Sequence, residues 1–267
     1  MHAMVIKEEN MKLSFKHIII SLTSALLLAG CVGHQTAVTP QQESALGERE
    51  SKKLLSQVKL SKNRQLNNAL RNVGTRIARA ANRPQYKWKF YLVDNPREAN
   101  AVVLPGGKVF VNTGLFKYAA NESELAVVVG HEVAHALASH GIQSAQRQEN
   151  AALLGAVLQI GMGIAGMDPN MAQLADQAYS HGASLGYIKP YSREKESEAD
   201  SAGLILMARA GYNPRSALTF WNKFGKAGQG TPEYLSTHPA PANRIAKIKA
   251  LMPIAMAEYN KSKKVRR

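Results

Sequence analysis

The stretch HEVAH, His131–His135, sets two imidazoles four residues apart with a carboxylate beside the first. On an α-helix, residues i and i+4 share a face, so both rings point the same way and can hold one metal ion at roughly 2.0–2.1 Å. Glu132 then stands within reach of a water in an open coordination position. A zinc ion lowers the pKa of such a water toward about 7, and a neighbouring carboxylate can take its proton. The competing reading is a packed helix with exposed histidines. It fits poorly, because a His-Glu pair inside an otherwise apolar helix is costly to bury without a partner.

Such sites take a third protein ligand. A third histidine in the extended pattern would need Gly at 138 and His at 141, but the chain has Ala138 and Gly141. His140 is one residue off and is expected to pack or to orient something. The acidic run REKESEAD, Arg193–Asp200, offers another ligand. Glu196 and Asp200 are four apart and share a face. Glu196 can therefore bind the metal while Asp200 accepts a hydrogen bond from the far nitrogen of a ligand histidine, fixing its tautomer and direction. Glu198 projects from nearly the opposite side, and Glu194 comes a turn too early. The bland alternative is a solvated acidic helix start favoured by the helix dipole. The single cysteine excludes a Cys-based zinc site and an internal disulfide.

The elements that must carry these residues are legible in outline. Leu66, Leu70, Val73 and Ile77 recur at helical spacing and predict an amphipathic helix over Ser61–Ala81. Trp88, Phe90 and Leu92 alternate with polar neighbours and predict a strand, ended by the turn at Asn95-Pro96. Ala101–Leu104 and Lys108–Asn112 flank Pro105-Gly106-Gly107 and predict a hairpin. Asn121 caps the helix that carries HEVAH, with Glu124 three residues on as the partner of a capping box. That helix is apolar at Leu125, Val128, Val129, Val133 and Leu137. Ser192 opens a helix over Arg193–Ala210, stopped by Gly211. Asn213-Pro214 opens another that buries Leu218, Trp221 and Phe224. The last falls at Ala242–Leu251. The fold class is therefore α+β, mainly helical with a small β-sheet, the domain running over 61–255. Ala151–Met167 is apolar and glycine-rich, either a buried helix or a membrane-facing element.

The N-terminus reads as an address. From Met11, the expected true start, Lys12 and Lys16 precede an apolar stretch from Ile18 to Leu28 and the small residues Ala29 and Gly30. That is the layout of a signal peptide over residues 1–30. LAGC at Leu28–Cys31 resembles a bacterial lipobox, which implies a lipidated Cys31. Val32 then looks like outer-membrane sorting, hence a periplasmic, lipid-anchored protein of a Gram-negative bacterium. Thr36–Glu50 is polar and reads as a tether within 31–60. The net charge is +15, with five cations in Lys261–Arg267. Residues 256–267 read as a frayed basic tail, with contact to an anionic surface as the alternative. The absence of any finger or RNP-like motif argues against nucleic acid as a partner.

HEVAH, the later E-x-x-x-D and STHPAPANRI (Ser236–Ile245) together resemble the HtpX-like, CAAX-prenyl-protease-like family of zinc metallopeptidases (gluzincins). The likeness runs over Leu66–Met252 and is nearest to the soluble bacterial lipoprotein branch of BepA-like and LoiP-like members. It implies a zincin-like domain with one zinc ion per chain on His131, His135 and Glu196, Glu132 as catalytic base and Asp200 behind the ligands. It implies that the strand Ala101, Val102, Val103, Leu104 binds extended substrate by strand addition. His238 would either approach the zinc and hold the enzyme inactive or steady an oxyanion; as a bare residue it is a loop histidine before Pro239. Arg244 would stabilise developing negative charge or pair with an acid. The implied function is an endopeptidase acting on misfolded or misassembled envelope proteins. The alternative is a mostly latent metalloprotein, a chaperone or scaffold for outer-membrane assembly machinery. The spanning helices of the membrane-embedded members have no convincing counterpart here.

Overall fold

Two helices, one uniformly apolar and one acidic at its start, cross at a pair of glycines, and the rest of the fold is arranged around that crossing. The computed structural model describes residues 38–147, 191–225, 234, 238 and 243–264. The described residues from Thr39 onward belong to one unit. The signal segment, Cys31 and Ala151–Met167 lie outside the described residues.

Helix α1 spans Pro40–Gln57 and α2 spans Arg64–Ala81. The sheet has β1 (Lys89–Val93), β2 (Ala101–Leu104) and β3 (Lys108–Asn112) in the order β1-β3-β2. β3 runs parallel to β1 and antiparallel to β2, so among the described residues β2 is an edge strand. The hairpin turn needs glycine at two successive positions, with φ of +67° at Gly106 and +86° at Gly107. A 3₁₀ turn over Thr113–Lys117 leads to α3, Glu122–Leu137. After a break, α4 spans Arg193–Arg209, α5 Ser216–Gly225 and α6 Arg244–Lys264.

α3 is buried on every side from Glu124 to Ala136, as expected of a helix apolar all round. α4 lies against it. A Cβ on Gly130 would come within 2.8 Å of the Gly203 carbonyl, and one on Gly203 within 2.8 Å of the His131 amide nitrogen. The two backbones thus touch immediately beside His131, which brings the acidic face of α4 onto the histidine face of α3. Val73 and Ile77 of α2 and Val109 and Val111 of β3 belong to the same core.

Several expectations change. The segment read as a tether is helical from Pro40. Its polar composition hides the helix, but Thr39 and Gln42 form a full capping box, and Glu43 and Gly47 are buried. α2 begins at Arg64, capped by Asn63, rather than at Ser61. Asn121 does cap α3, but Glu124 accepts from the Ala120 amide rather than from that of Asn121. Leu137 and Leu218 are only half-buried. α6 runs far past Leu251, through Pro253, so the stretch read as a frayed tail is helical to Lys264. Among the described residues no helix is long and apolar enough to cross a membrane.

Candidate metal centre

His131, Glu132 and His135 project from the C-terminal half of α3, Glu196 and Asp200 from the first two turns of α4. Ser192 caps α4, accepting from the Lys195 amide, which places Glu196 one turn inside the helix. His131, His135, Glu196 and His238 are all buried, and one ligand atom of each lies within 4.8 Å of the others. His131 Nε2 is 2.9 Å from His135 Nε2, 3.3 Å from His238 Nδ1 and 3.4 Å from Glu196 Oε2. Glu196 Oε1 is 3.3 Å from His135 Nε2 and 3.1 Å from His238 Nδ1. A tetrahedral shell with bonds of roughly 2.0–2.1 Å has edges of about 3.3–3.4 Å, so most of these separations are those of ligands around one ion.

The chemistry of the donors makes the same point. His131 Nδ1 lies 3.1 Å from Asp200 Oδ1, and a carboxylate there takes the ring's proton-bearing nitrogen. His140 Nε2 is 3.3 Å from Glu198 Oε2, so its Nδ1, 2.8 Å from His135 Nδ1, is left to accept. With each Nδ1 engaged, both ligand histidines turn their Nε2 atoms toward each other at 2.9 Å. Two such nitrogens repel in a buried space unless a shared proton or a metal cation lies between them. The four residues form a buried metal site.

Electrostatics divide the site. Burial opposes charge on His131, but Glu196 and Asp200 outweigh it and push the ring up to about 10. The field that favours a proton there favours a metal cation equally. Burial, reinforced by His131, holds His135 well below the ordinary range. Burial alone would raise Glu196, yet the three surrounding imidazoles pull it far below the carboxylate range. Arg244 braces the acids. Its Nε donates to Asp200 Oδ2 at 2.6 Å and an Nη to Glu196 Oε2 at 3.0 Å, with the guanidinium 4.0 Å above the Trp221 ring.

Glu132 is fully buried, and burial pushes its carboxyl up. Tyr234 donates to its Oε1 at 3.0 Å, while Oε2 has no hydrogen-bond partner among the described residues. His238 Nε2 is 3.6 Å from the same Oε1, and Tyr234 stacks on the His238 ring at 4.4 Å. Tyr191 stacks on His135 at 4.2 Å. Sequence reasoning missed Tyr191, Tyr234 and Trp221 as site residues. The nearest signal was their closeness to Ser192, to the STHP stretch and to the face of α5.

The edge strand reaches the site. Val103 and Leu104 of β2 line one small cavity, about 10 Å³, with His135, Ser139 and Glu43. Ala101, Val103 and Leu104 are buried and Val102 is half-buried.

Two crossing helices that offer two histidines, a flanking glutamate and a third, acidic ligand define a zincin-type metal centre. The chain belongs to peptidase family M48, whose sequence model matches residues 64–252. The mitochondrial metalloendopeptidase OMA1 of Saccharomyces cerevisiae is 32% identical over 185 residues, which is 66% of this chain and 50% of that protein. The Arabidopsis thaliana OMA1 is 38% identical over 159 residues, 59% of this chain and 30% of that protein. The beta-barrel assembly-enhancing protease of Escherichia coli K12 is 31% identical over 211 residues, 77% of this chain and 42% of that protein. This chain thus spans half or less of the length of these relatives.

Proposed function

We propose that the chain is a zinc-dependent endopeptidase, with Glu132 as general base. The observation that carries this reading is the convergence of His131, His135 and Glu196 ligand atoms beside a buried carboxyl with one oxygen unpartnered among the described residues. His131, His135 and Glu196 would hold one zinc ion. Zinc bound there would supply Lewis acidity to a scissile carbonyl and acidity to a water. Tyr234 holds Glu132 Oε1, which leaves Oε2 to take a proton from the attacking water and return it to the leaving amine. Asp200 and Arg244 orient His131 and Glu196. An extended substrate adds to the outer edge of β2, whose backbone groups read a peptide without demanding a particular sequence.

Misfolded or misassembled envelope proteins are the substrates this reading favours. The protein would work in the periplasm on a lipid anchor at Cys31, close to outer-membrane assembly machinery. The likeness to the Escherichia coli protease and the lipobox-like LAGC support that placement. A second reading, a mostly latent metalloprotein that acts as chaperone or scaffold, draws on His238. Its Nδ1 sits among the ligand atoms, where it would occupy the position a water and a carbonyl need.

The test is cleavage of an unfolded protein such as casein. Glu132→Gln should abolish turnover and leave zinc content intact; retained turnover would sink the assignment. His238→Ala should raise turnover if the ring closes the site, and lower it if the ring steadies an oxyanion.

A further inference from the structure

Glu43 lies on α1, twenty-one residues before the start of the family match, and is 5% exposed. Its carboxyl does nothing in the mechanism above. Its two oxygens are taken by two hydroxyls from distant parts of the chain. The Tyr86 hydroxyl bonds to Oε2 and the Ser139 hydroxyl to Oε1. Tyr86 also lies 3.2 Å from the Ala136 carbonyl, in the last turn of α3. One buried carboxyl therefore grips the C-terminal end of the helix that carries HEVAH.

Ser139 is an unusual residue to grip. Its φ is +52°, a left-handed conformation that side-chain-bearing residues seldom adopt without support. It forms the corner where α3 ends: its amide bonds to the Ala136 carbonyl, and its own carbonyl accepts from the Gln143 amide. The chain turns helical again at the next residue, His140. The corner thus sets the direction of the His140 ring, whose Nδ1 faces His135 Nδ1 at 2.8 Å.

α1 is itself held rigidly enough to act as an anchor. Gly47 presses on the hairpin turn so closely that a Cβ there would fall 1.7 Å from the Pro105 carbonyl oxygen. Glu48 pairs with Lys108 at 3.5 Å and with Lys89 at 3.7 Å, and Leu54, Leu55 and Val58 pack on Val93, Leu104 and Phe110. The small cavity that Glu43 and Ser139 share with His135 and the edge strand shows how near this anchor lies to the metal site.

We infer that Glu43 is a positioning residue for the metal centre: by clamping Ser139 in its left-handed corner it holds His140 against His135, so α1 belongs to the catalytic unit although it precedes the family match. This rests on the reading of His131, His135 and Glu196 as zinc ligands.

The experiment is zinc affinity of the full chain, measured by competition with a chromophoric chelator. Glu43→Ala should weaken zinc binding by up to about 10-fold, the loss expected if His140 itself were removed. Glycine adopts positive φ without support. In a Ser139→Gly background the same Glu43→Ala change should therefore weaken zinc binding less than about threefold, because the corner no longer needs its clamp. Glu43→Gln keeps the volume and one acceptor, and carries the same comparison if the alanine variant fails to fold. The proposal is overturned if Glu43→Ala lowers the melting temperature but leaves zinc affinity within about twofold, since α1 is then only a strut. It is equally overturned if the loss is as large in the Ser139→Gly background. Glu196→Ala is the control. If that variant keeps its zinc, the metal assignment fails first and the inference with it.

Discussion

The two histidines of HEVAH are supported by different means. Behind His131 stands a charged, nearly enclosed network: Asp200 takes its Nδ1, Arg244 ties Asp200 to Glu196, and Trp221 underlies the guanidinium. Behind His135 stands a chain of single contacts: His140, then Glu198, whose side chain is 63% exposed. The first support lies in the protein interior, where unpaired charge is heavily penalised. The second opens to solvent, and its geometry depends on the backbone corner at Ser139. The metal site thus has one side fixed by electrostatics and one fixed by chain conformation. Loss of a partner should cost far more on the His131 side.

The largest effect should come from Arg244→Ala. It would leave Glu196 and Asp200 side by side, both nearly inaccessible, with the His131 ring as the one cation still facing both among the described residues. Removal of one member of a buried ionic cluster typically costs about 3–5 kcal/mol, because the remaining charge is desolvated and unpaired. Urea unfolding of metal-free protein should register a loss of that order. A loss below about 1 kcal/mol would place this cluster with exposed ion pairs and remove the basis of the comparison.

Metal affinity should rank the two supports directly. Asp200→Ala should weaken zinc binding about 100-fold and His140→Ala about 10-fold, the two ends of the range for outer partners of ligand histidines. His131 loses a carboxylate that fixes both its tautomer and its charge. His135 loses a neutral ring, and Tyr191 still stacks on its face. If His140→Ala proves the more damaging in chelator competition, the conformational side is the stronger one and the ranking reverses.

How far the site could be read beforehand follows the same division. His131, Glu132 and His135 were legible because helical periodicity alone places them. Glu196 and Asp200 were legible because a four-residue spacing sets two acids on one face. His140 was visible as a residue that packs or orients something, without its target. Glu198 was expected to point elsewhere, and it does point away from the metal, onto His140. The gap lies wherever contact depends on segments distant in sequence. The approach of Gly130 to Gly203 has no local signature, since an isolated glycine in a helical pattern reads only as a weak point. Tyr234 reaches Glu132 across 102 residues and Glu43 reaches Ser139 across 96. α1 was hidden because most of its length is held by a cap, a buried acid and a glycine contact, with apolar packing confined to Leu54 and Leu55 near its end. The hairpin was read within a residue because its turn chemistry and strand alternation are both local.

The smallest effect should follow from Glu198→Gln. Glu198 receives the His140 Nε2 proton at 3.3 Å, but from a position where water competes for the same proton. The amide oxygen of Gln can accept that proton equally well in geometry, and an exposed charge adds little to such a contact. Zinc affinity should therefore stay within about twofold of wild type, with no measurable change in melting temperature. A drop approaching that of His140→Ala would mean that the carboxylate's charge is felt through His140 by His135. The His135 side would then be electrostatic as well, and the contrast between the two supports would reduce to their exposure.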